Sequence, residues 1–242
     1  MPLISIITVT HESAGHLPKL IDSLLNQTDK DFEWVIADGV STDGTLEILE
    51  KISKKLNIVI SSQPDFGIYD AMNRAIKLST GTYYIVAGSD DYFYPNMIEN
   101  FKREITITSA DMIVAGVDTE RGEIKIFEGR SWLYGARAYI TTHSVGTLIR
   151  RSLHDKFGYY SNKFAITADN LFIKQICQAS IKRHIAPFKA GFFSINGVSN
   201  KRVIHTLLEG LHIQLLTEKH QYFQILIFFI RIFKHRKKLK YM

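Results

Sequence analysis

Blocks of apolar positions with two different periods alternate along the first ninety residues. "LISIITVT" (3–10) is rich in β-branched side chains, as a strand buried on both faces would be. In "LPKLIDSLLNQ" (17–27) the period changes, and Leu17, Leu20, Ile21, Leu24 and Leu25 recur at helical spacing. "FEWVIADG" (32–39) reads as a second buried strand. "STDGTLEILEKISKKL" (41–56) opens with capping residues and carries the stripe Leu46, Leu49 and Ile52. "NIVIS" (57–61) is a third strand, "GIYDAMNRAIKLSTG" (67–81) a helix stopped at Gly81, and "TYYIVAG" (82–88) a fourth strand.

Strands alternating with helices over short links predict an α/β chain with a mostly parallel central sheet flanked by helices on both faces. In such sheets ligands bind beyond the C-terminal strand ends. The polar residues that follow the strands therefore belong to one crevice: Thr10 and Glu12, Asp38, Ser62 to Asp65, and Asp90 with Asp91. The second half is less regular. "ADMIVAGV" (110–117) reads as a strand, and 118–140 as a hairpin or irregular excursion. "HSVGTLIRRSLHDKFG" (143–158) is a strand running into a short helix, and "TADNLFIKQICQAS" (167–180) a helix. "RVIHTLLEGLHIQLLTEK" (202–219) reads as an amphipathic helix.

The chain has 242 residues, 45% hydrophobic and 22% charged, which suits one large globular domain with a C-terminal appendage. A single cysteine, Cys177, allows no internal disulfide and fits a reducing compartment. The first residues carry no basic region before a long apolar run, so no secretory signal is expected, and a cytoplasmic location follows. The net charge of +6 is uneven: six Lys/Arg and no acid lie between Arg231 and Met242, and the remaining body holds 24 basic and 24 acidic residues. A neutral body argues against nucleic-acid binding. The stretch "YFQILIFFIRIFKHRKKLKY" (222–241) is too short in its apolar part to span a bilayer. An apolar run followed by cations reads as an interfacial helix on an anionic membrane surface, peripheral on the inner face of the plasma membrane. The competing reading is a helix packed on its own domain or on a second copy.

The adjacent acids of "YIVAGSDDYFYP" (84–95) need an explanation. Like charges at contact cost roughly 1 kcal/mol in water and more where water is excluded. A divalent cation would offset that, and so would the helix expected near Pro95 or plain solvent.

The ordered set "SIITVTHES", "WVIADGVSTDGT", "QPDFGIYDAMNRAIKLSTG", "YYIVAGSDDYFYP", "GYYSNKFAITADNLFIKQI" and "SINGVS" resembles family 2 glycosyltransferases of the GT-A fold, over about residues 3–200. It is most similar to small bacterial enzymes that build surface polysaccharide. The resemblance implies a Rossmann-like nucleotide-binding fold, with a nucleotide-sugar half (1–95), an acceptor half (96–200) and C-terminal helices (201–242). It implies an inverting transferase with a nucleotide-sugar donor, most commonly a UDP-sugar, a lipid-linked or oligosaccharide acceptor, and Mn²⁺ or Mg²⁺. By resemblance, Asp90 contacts metal and donor with Asp91 beside it. The family often shows Asp-x-Asp here, and Gly88 stands in place of its first acid. Asp38 would bond the nucleobase, with Thr10 and Glu12 lining the same pocket. Asp65, Tyr69, Asp70 and Asn73 would lie near nucleoside and donor sugar. Asp169 would be the catalytic base, and His143 would sit on the acceptor side. Two other classes stay open: a nucleotidyltransferase, disfavoured because "TVTHESAGHLPK" lacks a Gly-rich basic loop, and an inactive transferase fold serving as a membrane adaptor.

Overall fold

The computed structural model describes residues 2–124, 128–195 and 202–239, the last five of these as backbone only. Its first half follows the hydrophobic pattern. Strand β1 (Ile4–Thr10) pairs in parallel with β2 (Glu33–Asp38) on one side and β4 (Tyr83–Val86) on the other, and β3 (Ile58–Ser62) extends the sheet beyond β2. Helices α1 (Leu17–Leu25), α2 (Thr45–Ile52) and α3 (Ile68–Leu78) make the crossovers.

Beyond β4 the sheet becomes mixed, and the expectation of a mostly parallel sheet holds only for this first part. After the two-residue strand β5 (Tyr92–Phe93) come helix α4 (Met97–Thr108) and strands β6 (Met112–Thr119) and β7 (Gly122–Ile124). A short helix α5 (Ser131–Tyr134) and a 3-10 turn lead to β8 (Thr147–Arg150), α6 (Leu153–Phe157), α7 (Ala168–Gln178) and β9 (Arg183–Phe192). The strand order is β3-β2-β1-β4-β8-β6-β9-β5, with β7 paired to β6. β8 runs antiparallel to both β4 and β6, whereas β9 is parallel to β6.

Alternation along each strand divides the core between the two sheet faces. Ile4, Ile6, Trp34, Ile36 and Ile85 pack with α1, α2 and α4. Ile7, Val35, Tyr84 and Val86 pack with α3, α6 and α7. Tyr69, Met72, Asn73 and Ile76 of α3 are all buried, so the four share the core face of the helix.

The C-terminal helices are α8 (Val203–Thr217) and α9 (Gln221–Leu239). They are docked on the body. Ile213, Gln214, Gln224 and Ile227 are buried, and Lys174 of α7, with no exposed surface, pairs with Glu218 at 2.6 Å. Gln214 donates to the Trp132 carbonyl at 2.8 Å, and Arg231 donates to the Leu133 carbonyl. Arg231 thus leaves the expected surface cluster and points its charge into the domain. Lys234 is exposed, and the rest of that basic cluster lies outside the described side chains, as do residues 196–199 of "SINGVS". Among the described residues no helix is long and apolar enough to cross a membrane.

Candidate active site

The loops after β1 and β2 are knitted into one rigid edge. Asp38 is fully buried at the end of β2. Its Oδ1 accepts from the Thr10 hydroxyl (2.8 Å) and the Ser41 hydroxyl (2.6 Å), and its Oδ2 from the Ser41 amide (2.8 Å) and the Ser62 hydroxyl (3.0 Å). Burial alone would raise its pKa, but the bonds from Ser41, Thr10 and Ser62 outweigh it and hold the carboxyl below its ordinary range. A carboxylate offers about four lone-pair sites, and here all four are engaged. Asp38 therefore organises the loops, and a base N–H would reach it only by displacing one of these donors. Thr10, buried and bonded to Asp38, is committed in the same way.

Glu12 is exposed and accepts from the Thr42 amide at 2.8 Å. Glu12 and Val40 both have left-handed backbone, φ 49° and 61°. For a β-branched valine that is strained, and such strain collects where a loop is held for function. Gly39 lies between: a Cβ there would meet Asp65 Oδ2 at 3.0 Å and His11 Nδ1 at 3.2 Å. Asp65 is half-buried and spends Oδ1 on the Gly67 amide (3.0 Å). At this edge it, unlike Asp38, keeps an oxygen for a ligand. Arg74, which the sequence reading passed over, ties the edge together from below by donating to the Asp38 carbonyl at 2.9 Å.

At the end of β4, Asp90 and Asp91 have opposite fates. Asp91 is buried and accepts from the Gly88 amide (2.7 Å), the Ser144 hydroxyl (2.6 Å) and the Ser194 amide (2.9 Å). Burial pushes its pKa up to about 7 despite those bonds. Beside its expected role as a metal ligand it has a structural one, since both oxygens already accept bonds within the protein. Asp90 is half-buried, and no protein donor engages its carboxylate among the described residues. A Cβ on Gly88 would come 3.0 Å from Asp90 Oδ1 and 3.1 Å from Asp91 Oδ2. The space over Gly88 is thus bounded by carboxylate oxygens, of which that of Asp90 is free to shift.

Those hard oxygens suit Mg²⁺ or Mn²⁺ bound largely through water and phosphate. Among the described residues no three His, Cys, Asp or Glu side chains are clustered to cage a metal. One open carboxylate plus a diphosphate is the donor set that fits.

Asp169 lies half-buried in the first turn of α7. The Tyr69 hydroxyl is 2.6 Å from its Oδ1 and 2.7 Å from the Ile166 carbonyl. Burial, and then the Asp169 charge, keep Tyr69 a neutral phenol. Asn73 departs from expectation. Its amide donates to the Tyr160 carbonyl (2.8 Å) and accepts from the Tyr160 amide (2.9 Å), so it is spent on joining the two halves. Asp70 accepts from the Phe66 amide at 3.2 Å, a turn-stabilising contact beside the crevice.

His143 ends a buried hydrogen-bond chain. His143 Nε2 lies 2.6 Å from the Tyr160 hydroxyl, which lies 2.6 Å from the Tyr84 hydroxyl, itself 2.9 Å from His154 Nε2. His154 Nδ1 is 3.0 Å from the Gly158 carbonyl, which can only accept. Nδ1 of His154 must therefore carry hydrogen. Burial pushes the His154 pKa down to about 4, so the ring is neutral and its Nε2 accepts from Tyr84. Tyr84 then accepts from Tyr160, and Tyr160 from His143 Nε2–H. Burial also lowers the His143 pKa, which leaves Nδ1 of that neutral ring as a bare lone pair. Neither spacing nor periodicity announced this chain, because its members come from four separate segments.

Comparisons with known proteins bear on the fold and the family. A relative from Mycobacterium bovis, a PGL/p-HBAD biosynthesis glycosyltransferase, is 44% identical over 95 residues, covering 38% of this chain and 37% of that protein. A chondroitin synthase of Pasteurella multocida is 32% identical over 148 residues, 59% of this chain and 15% of that one. The chain thus matches well under half the length of these curated relatives. The crystal structure of Staphylococcus aureus TarS 1–349 in complex with UDP superposes with a TM-score of 0.73 at 21% identity, covering 97% of this chain and 72% of that one, and shows a shared fold. The family model described as "Glycosyl transferase family 2" matches residues 5–184, and the chain belongs to that family.

Proposed function

We propose that this protein is an inverting glycosyltransferase that moves a sugar from a nucleotide-sugar donor, a UDP-sugar first, to a lipid-linked or oligosaccharide acceptor in cell-surface polysaccharide synthesis. The observation that carries this reading is the contrast among the acids of the crevice. Asp38 accepts four bonds and Asp91 three from protein donors, whereas among the described residues Asp90 accepts none and Asp169 one. Asp90 and Asp169, the open acids on the β4 and α7 sides of the crevice, would take the two tasks the reaction needs.

Asp90 would hold a divalent cation against the donor diphosphate. Such an ion stabilises the charge of the leaving group. Asp65, beside Gly39, is suited to accept a base N–H. Asp169 takes the proton of the acceptor hydroxyl as its oxygen bonds to the anomeric carbon. The bond from that carbon to the diphosphate breaks, and its electron pair leaves with the nucleotide. One displacement needs one base, and no second carboxylate is called for, unlike glycoside hydrolysis. Tyr69 orients the base, and His143, with its bare Nδ1, is placed to accept a hydrogen bond on the acceptor side. The exposed apolar side chains of α9, followed by cations, are suited to a peripheral position on an anionic membrane where a lipid-linked acceptor resides.

Calorimetry of UDP, GDP and dTDP, with and without Mn²⁺, on the wild type and Asp90→Ala tests the reading. Selective binding that Mn²⁺ strengthens and Asp90→Ala abolishes is the expected result. Folded protein that binds none of the three overturns it.

A further inference from the structure

We propose that Glu209, on α8, is a positioning residue for the Asp169 turn, so that the active site extends into the C-terminal helices beyond the family-matched stretch 5–184. This rests on the reading of Asp169 as the base. One oxygen of Glu209 accepts from the Ala165 amide (3.0 Å). The other accepts from the Ile166 amide (3.1 Å), the Thr167 amide (2.9 Å) and the Thr167 hydroxyl (2.8 Å). Three successive backbone N–H groups and a hydroxyl converge on one carboxylate from another helix.

Those groups form the turn that launches α7. Thr167 is the N-cap residue, but its side chain makes no cap bond to the helix. Its hydroxyl is given to Glu209 instead. A negative charge is favoured at a helix N-terminus. The Ile166 carbonyl of the same turn meets the Tyr69 hydroxyl that touches Asp169. Glu209 therefore fixes the turn from behind while Tyr69 fixes it from the front. Attachment of α8 to the body does not depend on Glu209, because Lys174 with Glu218 and Gln214 with Trp132 hold it separately. Loss of Glu209 would free the turn and leave the helix docked. A displacement of about 1 Å at a reacting group costs on the order of a hundredfold in rate.

The test uses the full chain. Glu209→Ala, Glu209→Gln, Glu218→Gln and Asp169→Asn are compared by UDP calorimetry, by amide exchange at residues 165–167 and by UDP release from UDP-N-acetylglucosamine, UDP-glucose and UDP-galactose. Glu209→Ala is expected to keep UDP affinity within about twofold, to exchange those amides at least about tenfold faster and to lower kcat about a hundredfold. Glu209→Gln, which keeps one accepting oxygen, should fall between it and the wild type. Glu218→Gln should lose melting temperature without loss of kcat. Turnover of Glu209→Ala within about threefold of the wild type, unchanged exchange at 165–167, or UDP binding lost together with turnover would each overturn the proposal. Unimpaired turnover by Asp169→Asn, or no UDP release by the wild type, defeats the base assignment instead. An inactive Asp169→Asn beside an active Glu209→Ala defeats only the role of Glu209.

Discussion

The Tyr69 hydroxyl stands 2.6 Å from Asp169 Oδ1, across a hundred residues of sequence. Tyr69 belongs to the parallel half and Asp169 to the mixed half, so this contact sets the proposed base relative to the proposed donor end. Tyr69→Phe keeps the buried ring and removes only the hydroxyl. Since a hydrogen bond to a charged group is worth about 1.5–3 kcal/mol, stability should fall by about that much. Turnover should drop at least about tenfold while UDP affinity stays unchanged. Denaturant titration and UDP calorimetry, set beside kcat, check the three parts separately.

Much of this fold was legible because buried parallel strands and amphipathic helices write their periods into sequence. The ranges expected for β1 to β4 and α1 to α3 match the structure to within a few residues at most ends. β9 was not legible. "RHIAPFKAGF" mixes charges with Pro187, and the register with β6 slips between Val114–Ile185 and Gly116–Lys189, where proline cannot donate to the ladder. The site was legible as a set of residue types and positions. What sequence could not show was which acids were already occupied. Asp38 is satisfied partly by Ser62, Asp91 by Ser144 and Ser194, and Asn73 by Tyr160. Those partners lie 24 to 103 positions away and are brought near only by the crossovers. Glu209 lies in the helix read at 202–219 but outside the motifs that carry the family resemblance, and its spacing on α8 looks like an ordinary solvent-facing acid.

Removing the acceptor at position 38 should be costly out of proportion to one side chain. Asp38→Ala would strand the hydroxyls of Thr10, Ser41 and Ser62 and the Ser41 amide. Ser62 is exposed and water can replace its bond, but unsatisfied buried donors cost about 1–3 kcal/mol each. A loss of about 3 kcal/mol is expected, with UDP binding weakened because the edge loops relax. Asp38→Asn should recover part of both, since its carbonyl oxygen still accepts. Equal stability of wild type and Asp38→Ala by urea titration would contradict this account.

The buried His154 predicts acid sensitivity with a defined window. An unfolded chain protonates an imidazole near pH 6.5, but burial holds the folded group unprotonated down to about 4. His143 and Arg151 push the same way, and Asp155 opposes them. Because the folded value is depressed, this group's contribution is complete above about pH 6.5 and is lost as pH falls toward 4. The slope is at most about 1.4 kcal/mol per pH unit for one proton. Asp38, whose pKa is lowered below 3.8, adds its own loss only in more acidic solution. Asp91, raised to about 7 in the folded chain, gains stability over much the same window and offsets this loss. The readout is therefore a difference: from pH 7.5 to 4.5 the melting temperature of the wild type should fall relative to that of His154→Gln, which can still accept from Tyr84.

Gly88 tests the metal assignment without touching a carboxylate. Its φ is not in the left-handed region, so alanine is allowed by backbone, yet the new methyl would enter the space at 3.0 Å from Asp90 Oδ1 and 3.1 Å from Asp91 Oδ2. The flexible Asp90 would give way before the buried Asp91. The Mn²⁺ concentration for half-maximal UDP binding should rise about tenfold, which is about 1.4 kcal/mol, with little change in melting temperature. Titration of Mn²⁺ at fixed UDP reads this directly. An unchanged midpoint would place the cation elsewhere.

The two faces of α9 make separable predictions. Ile227 and Gln224 are buried against the body, whereas Tyr222, Leu226, Phe229, Ile230 and Phe233 are exposed, with Phe229 at 60% and Phe233 at 66%. Buried large-to-small changes cost about 2–5 kcal/mol, so Ile227→Ala should lower stability visibly. Phe229→Glu with Phe233→Glu should cost far less stability than Ile227→Ala, because both rings are mostly exposed in the folded chain. On vesicles containing anionic lipid the order reverses. Each exposed ring would bury apolar area at the headgroup boundary, and each nearby cation adds about 1 kcal/mol of attraction. The double Glu variant should therefore lose sedimentation with anionic vesicles while keeping its fold and its UDP affinity. Ile227→Ala should keep sedimenting at temperatures below its melting point. Salt separates the two contributions: raising ionic strength to about 0.5 M should weaken wild-type binding through screening of the cations without abolishing the apolar part. If both variants sedimented like the wild type, the exposed face of α9 would not be the membrane contact, and analytical ultracentrifugation of the same variants would then show whether that face instead pairs with a second copy of the chain.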